Sequence, residues 1–297
     1  EALDDFILIK SDGYPTYNFA HIVDDIEMGV THVIRGQEFI SSTPNYIAVY
    51  EALGAAQPLY VTAPPILGEE GTKKMGKREG AKDTLDYRGA GYLPQAMFNF
   101  LAFLGWNPGG EKEVMTREEI IDSFDINKIQ KSGAQFNEEK LDWFNKEHIK
   151  LLSPEEVEKN ILKHLPENLQ NHKLVPLILE RISKWSDVEK IAGELEFFTT
   201  GPQIEKQKLV YKNIPPEKIS QNLKLAIKAL DETNEKDFTK ENIKNALMKI
   251  ADSLESRGEL LHPVRYALSG LDKSPDPFVI SEILGKNETI ARLQKAA

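Results

Sequence analysis

Cysteine is absent from all 297 residues, which excludes disulfides and any zinc site built on thiolates. A cytoplasmic setting fits that absence. No apolar run is long enough to cross a membrane as a helix, so no membrane partner is expected. The chain opens Glu-Ala-Leu-Asp-Asp, without the basic segment and apolar core of an export leader. An excess of positive charge is missing too, since the formal net charge is −10. A general coat for nucleic acid needs Lys and Arg to neutralise phosphates, so any RNA contact must be local. The deficit is uneven: residues 1–150 carry 15 Lys/Arg against 24 Asp/Glu, and residues 151–297 carry 22 against 23. The nearly neutral second half leaves room for a basic face.

What is present is the composition of a globular chain, 40% hydrophobic and 28% charged, with a length that predicts two or three domains. Residues 6–9 (Phe-Ile-Leu-Ile) predict a short buried strand, and Lys10 to Pro15 a turn. Val30 to Ile34 predicts a second strand. Thr43-Pro44 predicts a helix start that closes at Gly54, and Pro58 to Ala63 a third strand. Strand, helix and strand within about thirty residues make a βαβ unit and imply a parallel sheet. Ligands of such sheets sit beyond the carboxyl ends of the strands, which here means Arg35 to Glu38 and the residues after Ala63. From residue 90 onward the pattern is helical. Pro94 starts an apolar helix that stops at Gly105, and Thr116 to Glu119 and Ser153 to Glu156 are capping boxes. Spacing near 3.6 predicts helices over 137–150, 155–164, 174–193, 217–230, 240–256 and 278–295. Beyond residue 65 only a weak strand at 209–211 is expected. Domain breaks fall near 150–153 and 199–203.

Several residue groups have chemical potential. Gly71 to Gly80 gathers Lys73, Lys74, Lys77 and Arg78 in a Gly-containing loop. Such a loop can fold over a triphosphate, and its ammonium groups can meet the charge that develops as pyrophosphate leaves. By composition alone it reads as a solvated basic turn. Arg35, at a strand's carboxyl end before Gly36, offers a guanidinium fork suited to a carboxylate; the alternative is an ion pair with Asp24 or Asp25. Tyr17 and His21 read as core aromatics, Asp24-Asp25 as capping acids before a helix or turn, and Pro263 to Phe278 as a helix followed by a proline-stapled turn.

The stretches SDGYPTYNFAHIVDD, THVIRGQEF, KKMGKREGAK and RYALSGLDKSPDPF resemble bacterial-type glutamyl-tRNA synthetases, a family of class I aminoacyl-tRNA synthetases. KMGKR matches the KMSKS-type signature, with Gly76 where serine is usual. The resemblance covers essentially the whole chain and is strongest over residues 4–150. It implies an α/β plus all-α protein. Residues 1–63 would be the second half of a Rossmann-like catalytic domain, and 64–151 the KMSKS loop with a helical stem-contact domain. Residues 152–200 and 201–297 would be helical anticodon-binding subdomains. It implies a ligase that joins L-glutamate to tRNA(Glu) through an adenylate, using ATP and Mg2+ carried on ATP, with no zinc in this segment and the chain a monomer. Lys74 and Lys77 would be catalytic, and Met75 and Gly76 would line the ATP site with them. Tyr17, His21 and Arg35 would bind glutamate, with Arg35 on its γ-carboxylate. Glu38, Ile66 and Leu67 would belong to the adenosine site. Arg265 and Ser274 would reach anticodon bases, with Pro277 packed beside them. The HIGH-type tetrapeptide of the family does not occur in these residues. A carboxy-terminal fragment, inactive alone, is therefore expected. The alternative of another class is a non-catalytic tRNA-binding module. A glutamyl-queuosine paralogue would lack the anticodon region, and a glutaminyl enzyme would carry β-barrels there.

Overall fold

The computed structural model describes residues 5–68, 70–71, 73–76 and 81–297. The chain packs as two units, Glu1–Leu151 and Leu152–Ala297.

In the first unit the expected strand over residues 6–9 does not form. Ile7 and Ile9 are exposed, and Ile9 makes only a single antiparallel bridge to Pro15. Phe6 and Leu8 instead pack on Ile22, Tyr46, Val49 and Tyr50. After a turn in which the Lys10 amide donates to the Tyr14 carbonyl, the chain forms helix α1, Tyr17–Glu27. Asp24 and Asp25 lie in its last turns rather than before a helix. Strand β1, His32–Gly36, leads through a 3-10 turn over Gln37–Ser42 into α2, Thr43–Ala52. Pro44 sits in the first turn of α2, but the Thr43 hydroxyl turns back to the Phe39 carbonyl and caps no amide of α2. Gly54, at φ 68°, ends the segment in the left-handed region that glycine adopts without steric penalty. Strand β2, Leu59–Ala63, runs parallel to β1 with Val33 opposite Tyr60 and Arg35 opposite Thr62. The βαβ unit expected from the sequence is there.

Strand β3, Ile66–Leu67, follows, then α3 (Thr84–Gly89), α4 (Pro94–Gly105), α5 (Arg117–Ser123), strand β4 (Ala134–Gln135) and α6 (Glu138–Lys150). β3 pairs in parallel with β4, a contact that the helical reading of this region did not include. The Thr116–Glu119 capping box forms as expected. Tyr87, Phe100, Leu104, Phe136, Leu141 and Phe144 make the core between α4 and α6. Beside it, the buried Asn99 Oδ1 accepts from the Met115 amide at 2.8 Å and from His148 Nε2 at 3.0 Å.

Burial holds the His148 imidazole below its ordinary pKa of 6.5. A depressed folded-state value means that the unfolded chain binds the proton first. The contribution to stability is then complete above about 6.5 and is lost as pH falls through the window below it. Urea titrations between pH 7.5 and 5.5 should show the first unit losing stability on acidification, and His148→Gln should flatten that loss. An identical pH slope in the variant would contradict the assignment.

The second unit is helical among its described residues: α7 (Pro154–His164), α8 (Val175–Leu179), α9 (Asp187–Glu194), α10 (Phe197–Thr200), α11 (Pro216–Asp231), α12 (Lys240–Ala251), α13 (Gly258–Ser269), α14 (Pro277–Leu284) and α15 (Lys286–Ala296). Ser153 and Glu156 form the expected capping box on α7. Two segments expected as single helices are broken. Over 174–193, the Asp187 carboxylate accepts from the amides of Ser183 and Lys184 and closes a turn between α8 and α9. Over 278–295, Gly285 at φ 78° separates α14 from α15. The weak strand expected at 209–211 is absent, because Leu209 ends a 3-10 turn. α11 packs on α13 and α15, burying Leu223, Leu230, Val264 and Leu293. Within this core lies Arg292. Its Nε donates to Glu288 Oε1 at 2.7 Å, and its Nη1 to the carbonyls of Phe197 and Leu268 at 2.8 and 2.9 Å. Nη2 reaches the Phe198 carbonyl at 3.2 Å.

Candidate functional site

β1 delivers Arg35 at its carboxyl end, and α1 and α2 supply the surroundings. The guanidinium carbon lies 5.2 Å from the Phe39 ring centre and 5.4 Å from that of Tyr46, within cation–π range. Tyr17 and His21, one turn apart on α1, stack at 4.8 Å. His21 meets Tyr46 edge to face at 4.6 Å, and its Nδ1 hydrogen-bonds to the Tyr17 carbonyl at 2.7 Å. Tyr17 is largely exposed and Tyr46 buried. Among the described residues Arg35 has no ion pair; the Asp25 carboxylate accepts from the Tyr50 hydroxyl at 3.3 Å instead. Arg35 Nη1 is shielded from solvent and has no acceptor, and the Tyr60 hydroxyl is likewise buried and unpartnered. Burial is the main cause holding the Tyr60 phenol above its ordinary pKa, so at neutral pH it offers Arg35 no negative charge. The result is a cation in an aromatic setting with no carboxylate in ion-pair contact among the described residues. Such a group has its strongest affinity for an anion.

A second group forms around β3. The Met75 amide donates to the Ile66 carbonyl at 2.8 Å and the Gly68 amide to the Lys73 carbonyl at 2.9 Å. The start of the lysine loop is thereby folded back on the strand. Lys74 Nζ donates to Glu38 Oε1 at 2.8 Å, and this hydrogen bond is the main cause holding the Glu38 carboxyl below its ordinary pKa. The Glu38 carboxylate lies over Gly36, where any Cβ would collide with it. Both partners are more than half exposed, so a competing anion can displace the pair readily. Lys73, Lys74, Met75 and Lys82 line a cleft of about 430 Å³ together with Tyr87 and Phe136. Lys82 is paired to Glu138 at 2.5 Å. Lys77 and Arg78 lie outside the described residues.

In the second unit Arg265 is on α13. Its Nη1 donates to the Ser274 hydroxyl at 3.1 Å and to the Leu271 carbonyl at 3.4 Å, and its Nη2 to the Asp272 carbonyl at 2.9 Å. The guanidinium thus clasps the loop between α13 and α14, and part of its donor set remains free. Pro277 is buried in the first turn of α14.

Comparison with known proteins shows the family of the chain. The family model for the catalytic domain of class I tRNA synthetases (E and Q) matches residues 1–143, and the anticodon binding domain model matches residues 135–297. The chain belongs to the class I tRNA synthetases. It is 40% identical over 303 residues to the glutamate–tRNA ligase of Clostridium botulinum strain Hall, covering 98% of this chain and 61% of that protein. The glutamate–tRNA ligase of Clostridium acetobutylicum is 40% identical over 301 residues, with the same shares covered. The crystal structure of a glutamate tRNA ligase from Elizabethkingia meningosepticum, in complex with its amino acid, superposes with a TM-score of 0.83 at 35% identity. It covers 99% of this chain, which covers 62% of that structure. The chain therefore spans about three-fifths of the length of the curated relatives it matches.

Within this synthetase chain, the structure brings Tyr17, His21 and Arg35 into one cluster. It sets Glu38, Ile66, Leu67, Lys74, Met75 and Gly76 around the base of the lysine loop, and joins Arg265 to Ser274. Sequence reasoning missed Phe39 and Tyr46. Their one signal was being aromatic on either side of the helix start that follows Arg35. Among the described residues no cluster of three or more His, Asp or Glu could hold a metal ion.

Proposed function

We propose that this chain supplies a glutamate–tRNA ligase with its side-chain carboxylate pocket, its phosphate-facing loop and its anticodon-reading region. In that reaction a glutamate α-carboxylate oxygen attacks the α-phosphorus of ATP and pyrophosphate leaves. The terminal ribose hydroxyl of tRNA(Glu) then attacks the acyl carbon of the glutamyl-adenylate, and AMP leaves. The observation that carries this proposal is Arg35, a cation without an acidic partner among the described residues, at the carboxyl end of a parallel strand. Arg35 holds the γ-carboxylate, the Tyr17 hydroxyl reaches the amino acid, and His21 forms the wall. Glu38, Ile66 and Leu67 face the adenosine. Lys74, Met75, Gly76 and Lys77 meet the phosphates, with Mg2+ arriving on ATP. The phosphates draw Lys74 away from Glu38 as they enter. Catalysis here is mostly positioning and charge neutralisation, so no general base is required of Asp24 or Asp25. Arg265 and Ser274 contact the anticodon from the clasped loop, and the enzyme acts in the cytoplasm.

The test is Arg35→Ala in the gene product as the cell makes it. Losing a charge-assisted fork should raise KM for glutamate on the order of 10²-fold while KM for ATP changes little. An unchanged KM for glutamate would remove the basis of the proposal.

A further inference from the structure

Phe39 and Tyr46 have no part in the chemistry above, yet they are the groups that hold Arg35. We propose that they are positioning residues, an aromatic clamp that orients the Arg35 guanidinium while leaving its charge unneutralised. The clamp rests on the proposed role of Arg35 as the carboxylate ligand.

An arginine can be oriented by a carboxylate or by rings, and the two have opposite consequences. A carboxylate fixes the fork but offsets its charge and occupies its in-plane donors. Rings attract the cation through their faces and leave the N–H groups at the edge available. Arg35 is held in the second way, with ring centres at 5.2 and 5.4 Å and no ion pair among the described residues. The nearby acid, Asp25, accepts from the Tyr50 hydroxyl, and the buried Tyr60 hydroxyl makes no hydrogen bond. The clamp is itself fixed. Tyr46 is only 2% exposed, donates its hydroxyl to Asn18 Oδ1 at 3.3 Å and receives the edge-to-face contact with His21. Phe39 sits on the turn before α2, where the Thr43 hydroxyl donates to its carbonyl at 2.9 Å. One turn-plus-helix segment therefore presents both rings to the strand end that carries the arginine. An uncompensated guanidinium favours a carboxylate over the isosteric amide, which is neutral and presents donors to donors.

The experiment measures glutamate-dependent kinetics of the gene product as the cell makes it, well below its unfolding temperature. Tyr46→Leu and Phe39→Leu should each raise KM for glutamate about tenfold, the scale of a desolvated cation–π contact. KM for ATP and kcat should stay within about twofold. Tyr46→Phe keeps the ring and should retain the parent KM for glutamate. A purely structural role would move all parameters together, and that result overturns the clamp. So does a Tyr46→Phe variant as impaired as Tyr46→Leu. If Tyr46→Leu does not fold, Phe39→Leu decides, and its unchanged KM for glutamate overturns the clamp. Arg35→Ala separates the two levels. If it leaves KM for glutamate unchanged, the carboxylate-ligand role fails. If it raises KM while the leucine variants do not, only the clamp fails.

Discussion

Arg292→Ala is expected to lower the unfolding free energy of the second unit by about 3–5 kcal/mol. The guanidinium is buried and joins three chain segments, through the carbonyls of Phe197 and Phe198 after α9, of Leu268 on α13, and the Glu288 side chain on α15. Removing it leaves three carbonyls without a donor, each costing about 1–3 kcal/mol if water cannot reach it. Glu288 is half exposed and can turn to solvent, so the loss comes mainly from the carbonyls and the vacated volume. Since domains are stable by only about 5–15 kcal/mol in total, the variant should unfold at a much lower urea concentration. Arg292→Lys should recover only part of the loss, because one ammonium cannot span the same acceptors. A change below about 1 kcal/mol for Arg292→Ala would mean that water replaces the guanidinium.

Lys77→Ala should lower kcat by about 10²–10³-fold, the usual consequence of removing one preorganised charge donor from a developing anion. Lys77 follows a segment that β3 anchors through the Met75 amide and that lines the lysine-rich cleft. KM for glutamate should change little, since Arg35 rather than Lys77 is proposed to meet that substrate. The split is what identifies the role: an interaction made only in the transition state lowers kcat and kcat/KM equally. Pyrophosphate exchange with the gene product as the cell makes it measures both. Parent kinetics in the variant would show that this loop does not act on the phosphates.

Local chemistry was legible in the sequence. The Thr116 and Ser153 capping boxes and the helix from Pro94 to Gly105 each depend on neighbours within a few residues, and the βαβ segment on three short elements that follow one another directly. What escaped depends on distant partners. The two-residue pairing of β3 with β4 joins segments far apart in the chain and has no periodicity to show. Residues 6–9 have the composition of a strand, but their apolar side chains split between solvent and the α1–α2 core. The helix over Tyr17–Glu27 has few local end signals, since Thr16 caps no amide with its side chain and neither end turn carries a charge that complements the helix dipole. The break between α8 and α9 turns on one side chain, Asp187, taking two backbone amides. In the candidate site the charged residues were visible as residue types. The Glu38–Lys74 pair spans 36 positions, and the ring contacts of Arg35 exist only once α2 is packed.

The most direct measurement is the charging reaction itself, carried out with the gene product as the cell makes it, ATP, Mg2+, tRNA(Glu) and either labelled glutamate or labelled glutamine. Glutamate should be esterified to tRNA(Glu) with one AMP released per amino acid transferred, and glutamine should not. No glutamyl-tRNA, or glutamine transferred as readily as glutamate, would contradict the proposed function.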